Sequence, residues 1–362
     1  MTRPLHDPWL NRFAVLTAAA TLALIGIGGL VTSHGAGLAV PDWPTTYGYN
    51  MFLFPPSFWI GGIFYEHTHR LFASFVGLLT TVLAVWLWLR ERRPWLRWLG
   101  VLAFVAVVHQ GILGGLRVTL LQNYLGIVHA TIAHLFLALV GFIALATTRR
   151  WRELTDSPSM VRVPNGLRYL LAAGTAAIFL QLILGATMRH QHAGLAVPDF
   201  PLAYGKLWPP MDAASLESIN QKRLDVRDPN PITAAQIGLH MSHRIGALVA
   251  LGLVGASAWL SRIQLGRQAA LARMSAAWCA LLLFQAGLGA FTVWSNKAAD
   301  VATAHVVAGA ASLLCGSLLC CAAFWSKLKI PQSPLADLAP NLAAGSMAHS
   351  RTALTPSCRP AR

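Results

Sequence analysis

The chain has 362 residues, of which 55% are hydrophobic and only 11% are charged, and its mean hydropathy is +0.53. A soluble domain could not bury so much apolar surface, so the composition excludes a water-soluble globular protein and predicts an integral membrane protein. The net charge of +15 arises largely from basic residues gathered on one side of the predicted spans, and we infer no nucleic-acid site from it.

Eight apolar stretches are long enough to cross a hydrocarbon core of ~30 Å as helices. Backbone groups in lipid must be hydrogen-bonded within the segment, and the sequence shows no barrel-like alternation. The predicted fold class is therefore all-α integral membrane with eight transmembrane helices. Their approximate ranges are 13–32, 67–89, 98–116, 125–148, 168–188, 238–260, 270–293 and 301–325.

The chain contains an internal duplication. The segment Gly-Leu-Ala-Val-Pro-Asp-Trp-Pro-Thr-Thr-Tyr-Gly at 37–48 returns with three changes at 194–205. Each half carries four spans, so the two halves share one topology and predict two pseudo-symmetric four-helix bundles. The predicted parts are an N-terminal half at 13–148, a cytoplasmic linker at 149–167, a C-terminal half at 168–325 and a disordered tail at 331–362. Because the first span has an internal counterpart, we expect it to be retained rather than cleaved as a signal.

Basic residues set the orientation. Most of the 28 lysines and arginines lie at the termini, in the linker and in the loops on the linker side. This distribution predicts a multi-pass protein of the inner (cytoplasmic) membrane with both termini cytoplasmic. The loops around Asp42 and Asp199 then face outward, where we expect each aspartate to pin a turn through local hydrogen bonds.

Four histidines are matched by the repeat. His69 corresponds to His243 and His129 to His305, so each half offers one histidine near the start of its second span and one near the start of its fourth, about one turn from the outward ends. Two imidazoles from two helices at equal depth are suited to axial ligation of an iron porphyrin. A zinc site, which needs three or four converging donors, and a proton relay in a transporter stay open. His134 stays open as an alternative ligand.

A carboxylate distinguishes the two halves. Glu66 lies three residues before His69, on the same helix face, and the second half has His240 in its place. A carboxylate beside a bound porphyrin could accept a proton. The structural alternative is an ion pair between Glu66 and Arg70. Arg70 and Arg244 are candidates for binding porphyrin carboxylates in a forked geometry.

Together these motifs resemble the haem A synthase family over nearly the whole chain. They are the outward Gly-Leu-Ala-Val-Pro-Asp-Trp-Pro loop, Glu66-x-x-His69-Arg70, the Gln-Gly-x-x-Gly-Gly-x-x-Val pattern at 110–118 and the paired histidines. The resemblance implies oxidation of the C8 methyl group of haem O to a formyl, which gives haem A for haem-copper oxidases. It further implies a catalytic Glu66, a substrate haem at His69 and His129, and a resident haem b cofactor at His243 and His305, with all four histidines as axial iron ligands.

One family feature is missing. Many members carry a cysteine pair in an outward loop, but Val40 and Thr46 stand at those places in the first half, so no loop disulfide is expected. The expected partners are haem O and membrane lipid, without nucleic acid. A contact with haem O synthase and a homo-oligomer stay open. Two other classes also stay open: a two-haem membrane cytochrome b for electron transfer, and a parallel-repeat transporter of haem or a small molecule.

Overall fold

The computed structural model describes residues 7–156, 161–223, 230–325 and 327–328. Eight of its described helices are long and apolar enough to cross a membrane, and α5 and α7 are short. The predicted all-α fold with eight spans is confirmed. The helices are α1 (Pro8–Ser33), α2 (Gly61–Arg90), α3 (Pro94–Thr119), α4 (Asn123–Ala146), α5 (Arg149–Asp156), α6 (Asn165–His190), α7 (Ala213–Lys222), α8 (Ala234–Leu265), α9 (Ala270–Trp294) and α10 (Ala299–Trp325).

Local sequence sets several helix starts. Asp7 caps α1, where its Oδ1 accepts hydrogen bonds from Trp9 N at 3.0 Å and Leu10 N at 3.2 Å. Helix α8 begins with a capping box, in which the Thr233 and Gln236 side chains each accept from the other residue's backbone N–H. These caps satisfy backbone donors that the first helical turn leaves without partners.

The helices that carry the matched histidines begin earlier than hydropathy predicts. Helix α2 begins at Gly61 and α8 at Ala234, so His69 and His243 lie about two turns from the helix start rather than one. The one-turn prediction was wrong because the first turns contain polar residues, among them Glu66 and His240, which an apolar window excludes. Both of these side chains are buried in the folded protein.

The helix contacts repeat between the halves. In the first half α1, α2, α3 and α4 contact one another in a closed ring, and α6, α8, α9 and α10 do the same in the second. Across the halves, α10 packs against α1 and α4, while α4 packs against α6. Exchanging the halves maps this contact pattern onto itself, which is compatible with the predicted pseudo-symmetric pair of bundles.

Each half buries its own apolar core, and aromatic rings join the halves near the linker. Trp325, the last residue of α10, stacks on Phe142 of α4 and on Trp95 of α3, with ring centroids 5.6 Å and 6.1 Å apart. The linker region contains α5, and residues 161–162 pair antiparallel with residues 327–328. The predicted tail at 331–362 lies outside the described residues.

Candidate functional site

The two repeated loops, at 37–48 and 194–205, have the same internal bonding around their aspartates. Asp42 accepts hydrogen bonds from Tyr47 N at 2.8 Å and Gly48 N at 2.9 Å. Asp199 accepts the corresponding pair from Tyr204 N at 2.7 Å and Gly205 N at 2.8 Å. The prediction that both aspartates pin turns is therefore confirmed.

The pKa values of two loop groups follow from this bonding. Burial alone would raise the pKa of Asp42, but hydrogen bonds from Gly48 N, Thr45 Oγ1 and Tyr47 N outweigh it and hold the pKa below its usual range. Ionised Asp42 thus stabilises its loop above the ordinary carboxyl pKa, and this contribution is lost as pH falls through the lowered value. Burial and the nearby Asp199 carboxylate raise the pKa of Tyr204 to about 12, so its hydroxyl stays protonated and donates to Ala196 O at 2.6 Å.

The arginine that follows each first histidine holds the loop above it. Arg70 donates to three carbonyl oxygens of its loop, those of Asp42 at 2.7 Å, Val40 at 2.8 Å and Thr45 at 3.0 Å. Arg244 donates to the three carbonyls at the equivalent positions of the second loop, in residues 197, 199 and 202. Both guanidinium groups therefore bind backbone, and the terminal nitrogens of Arg70 have no donor left for a ligand carboxylate.

Glu66 belongs to the same network. Its Oε1 accepts from Arg70 Nη2 at 2.8 Å and its Oε2 accepts from Val40 N at 2.9 Å, and the residue is only 4% exposed. The ion pair considered as the structural alternative is thus present. It places the carboxylate about one helical turn from His69, toward the start of α2.

The second-half histidines face each other. The imidazole rings of His243 and His305 have centroids 6.4 Å apart and planes inclined at 69°. Each ring packs against a glycine of a neighbouring helix: a Cβ added to Gly185 or Gly289 would lie 3.2 Å or 3.0 Å from the ring Cε1. Small residues at these two positions let the rings sit between the helices.

The first-half pair repeats this environment. His69 packs against Gly28 of α1, and His129 packs against Gly114 of α3, at positions that the repeat matches to the two second-half glycines. Both residues are partly buried, and their imidazoles lie within electrostatic range of each other. Their Nδ1 atoms are buried without a hydrogen-bond partner, and the Nδ1 atom of His243 is in the same state.

The separation of the second-half pair is compatible with axial ligation of one iron. Zinc–imidazole bonds are roughly 2.0–2.1 Å long, and iron–imidazole bonds are comparable. Two such bonds, plus the distance from each ligating nitrogen to its ring centroid, would place the two centroids roughly 6 Å apart. The centroids of His243 and His305 are 6.4 Å apart, which is close to this value. Within the part of the chain that the structure describes, no three His, Cys, Asp or Glu side chains converge as a metal-binding group. The donor arrangement is two pairs, as a bis-histidine porphyrin requires.

Sequence reasoning missed Arg117. This residue lies in the last turn of α3, where its guanidinium contacts Gly37 and lies within electrostatic range of Glu66, His69 and His129. A signal was present, because the repeat places Thr292 at the corresponding position. An arginine confined to the half that also carries the carboxylate marks the first site as chemically different.

Other histidines lie apart from the pairs. His67 is fully buried between the rings of Phe54 and Trp59, and its Nδ1 lies 3.2 Å from Thr46 Oγ1. His134, the alternative ligand, has its Nδ1 2.6 Å from Ala130 O on its own helix.

The four cysteines in the described residues are free thiols within α9 and α10, namely Cys279, Cys315, Cys320 and Cys321. Val40 and Thr46, at the places of the family's loop cysteines, are fully buried. Buried side chains without sulfur occupy these positions. The first-half loop is instead held by hydrogen bonds that Arg70 donates and that the Asp42 and Glu66 carboxylates accept.

The chain is similar to several known proteins and matches one family model. Proteins named heme A synthase match the chain from Halalkalibacterium halodurans (27% identity over 70% of this chain and 76% of that protein) and Alkalihalophilus pseudofirmus (28% over 55% and 66%). The protein of that name from Shouchella clausii is 28% identical over 56% of this chain and 65% of its own length. The COX15-CtaA family model, described as cytochrome oxidase assembly protein, matches residues 11–318. The chain therefore belongs to the COX15-CtaA family of cytochrome oxidase assembly proteins.

Proposed function

We propose that this protein is a haem A synthase, an oxidoreductase that converts the C8 methyl group of haem O to a formyl. The observation that carries the proposal is a duplicated histidine pair of which only one copy has a carboxylate, Glu66, on the neighbouring turn. The two matched histidine pairs provide two porphyrin sites. Because the carboxylate occurs only in the first half, we place the oxidation of the methyl group at the first site. The relatives named heme A synthase support this assignment.

The second half is the proposed site of a resident haem b. His243 and His305 would be its axial ligands, and the bound group would supply one-electron transfer. His240 replaces the carboxylate in this half and lies buried in α8. With His240 at the position of Glu66, this half keeps the proposed ligands and lacks the carboxylate that is the candidate proton acceptor in the first half.

The first half is the proposed substrate site. His69 and His129 would ligate the iron of haem O, and Glu66 lies on the same face of α2 as His69. At that place a carboxylate can accept a proton or stabilise positive charge that develops at an oxidised methyl carbon. Its bonds to Arg70 and Val40 hold it in one orientation.

Arg70 and Arg244 were candidates for binding haem carboxylates. Their hydrogen bonds to the loops support a different role, in which each arginine positions an outward loop over its half. Contacts with haem O synthase and with further copies of this chain stay predictions.

Porphyrin extraction from the purified protein tests the proposed function. Haem O or haem A beside haem b is the expected content when the cells also produce haem O. Haem b alone would favour the electron-transfer cytochrome, and no tightly held porphyrin would favour the transporter. Chromatography of the extracted pigment separates the three outcomes.

The proposed orientation predicts which loops can be labelled. In a variant with all five native cysteines replaced by Ser or Ala, Ser57→Cys should react with an impermeant thiol reagent in spheroplasts, and Gln268→Cys should not. Both native side chains are exposed, so accessibility within the fold is matched and the membrane decides the result. The reverse labelling would overturn the orientation. The cysteine-free protein should still form haem A, because none of the five native cysteines lies in the loops around Asp42 and Asp199.

A further inference from the structure

Arg117 lies near the first histidine pair, in the last turn of α3. Gly114, which contacts the His129 ring, precedes it by three residues on α3, so Arg117 lies on nearly the same helix face, about 4.5 Å closer to the outward end. Its guanidinium passes under the outward loop, where a Cβ added to Gly37 would be 2.5 Å from Nη2. The side chain therefore lies between the loop and the site.

The guanidinium of Arg117 has no hydrogen-bond or ion-pair partner among the described residues, and its Nε is buried. Arginine carries five N–H donors, and a donor left unpaired away from water, as Nε is here, is costly. Arg70, the neighbouring arginine, is fully engaged by loop carbonyls and Glu66. The unused donors at this site are those of Arg117.

The positive charge of Arg117 also lacks a free partner. Glu66 is the acidic group within electrostatic range of Arg117, but Arg70 already pairs with that carboxylate. One positive charge is thus left beside His69 and His129. In the second half, the corresponding Thr292 donates its hydroxyl to Leu288 O of its own helix at 2.8 Å. The cation within electrostatic range of His305 is Arg189, whose Nη2 donates to Gly29 O and Ser33 Oγ, so among the described residues the guanidinium without a partner lies beside the first pair.

We infer that Arg117 binds a carboxylate of the ligand held between His69 and His129. The inference rests on the proposed function, in which that ligand is a porphyrin with two propionate side chains. A forked guanidinium on the outward side of the site fixes which edge of the ring faces outward. With the iron held by the two histidines, this contact would set the rotation of the ring about the iron and hence where the C8 methyl group lies.

The test compares iron protoporphyrin IX with its dimethyl ester, which lacks the carboxylates. Each is titrated into the purified full-length protein, and the His69-dependent part of the spectral change is followed. Arg117→Gln should weaken binding of the diacid about 10- to 100-fold, as expected for the loss of a hydrogen bond between charged groups, and should leave binding of the ester unchanged. Arg117→Lys should recover part of the diacid affinity. Thr292→Gln, the matched change in the second half, should alter neither titration.

Equal weakening of both porphyrins by Arg117→Gln would overturn the inference, because it would mean that Arg117 only supports the loop at Gly37. Unchanged binding of the diacid would overturn it as well. The proposed function fails in a different way: the wild-type protein would then bind neither porphyrin with any dependence on His69. That outcome would remove the substrate site and the role of Arg117 together.

Discussion

Glu66→Gln is expected to remove most haem A formation while the resident haem b and the membrane fold remain. The amide keeps the shape of the side chain but cannot hold a negative charge or accept a proton, and the loss of general acid–base assistance typically lowers a rate by ~10²–10⁴. Haem O or a partly oxidised alcohol should accumulate. The measurement is porphyrin content by chromatography, per mole of purified protein, from cells that co-produce haem O.

The structure shows which control this experiment needs. Both carboxylate oxygens of Glu66 accept hydrogen bonds, from Arg70 and from Val40 N, so the amide nitrogen must face one of these donors and the loop loses a contact. Arg70→Gln loosens the same loop and keeps the carboxylate. A purely structural Glu66 would give both variants lower yield with normal haem A per folded molecule. Undiminished haem A per mole of Glu66→Gln protein would defeat the catalytic assignment.

Replacing either second-half histidine should abolish the low-spin haem b spectrum. His243→Ala and His305→Ala each remove one axial ligand of the proposed pair, and the adjacent glycines Gly185 and Gly289 offer no substitute donor. The change is measured as absorbance of the reduced and oxidised purified protein.

The first half provides the matched controls. His69→Ala and His129→Ala alter the equivalent positions and should leave most of the haem b signal while they prevent retention of added haem O. Full haem b absorbance in both His243→Ala and His305→Ala would contradict the assignment of the resident site to the second half.

Duplication explains how one scaffold can hold two different sites. The loops, their aspartates and the arginines that bind them are the same in both halves, so these features support the fold around each pair. Glu66 against His240 and Arg117 against Thr292 are among the positions that differ beside the pairs. The first half thereby gains one carboxylate and one cation. Both differences place charged groups beside the pair that we assign to the substrate.

The sequence by itself determined the number of spans, the duplication and the pairing of the histidines. Hydropathy over about twenty residues is a local property that lipid enforces, and a repeat is visible without any knowledge of packing. The match of His69 with His243 and of His129 with His305 therefore predicted two equivalent pairs, which the structure places against matching glycines.

Only the tertiary structure decided what each arginine does. Arg70 and Arg244 have the type and place of carboxylate-binding residues, but loop carbonyls from 25 to 47 residues earlier in the chain occupy their donors. Arg117 has no local motif to mark it, and its position beside His129 depends on the packing of α3 against α4. A sequence shows which donors exist. Which of them remain unpaired is settled only when distant segments fold together, because a guanidinium bonds to whichever acceptors the fold brings within about 3 Å.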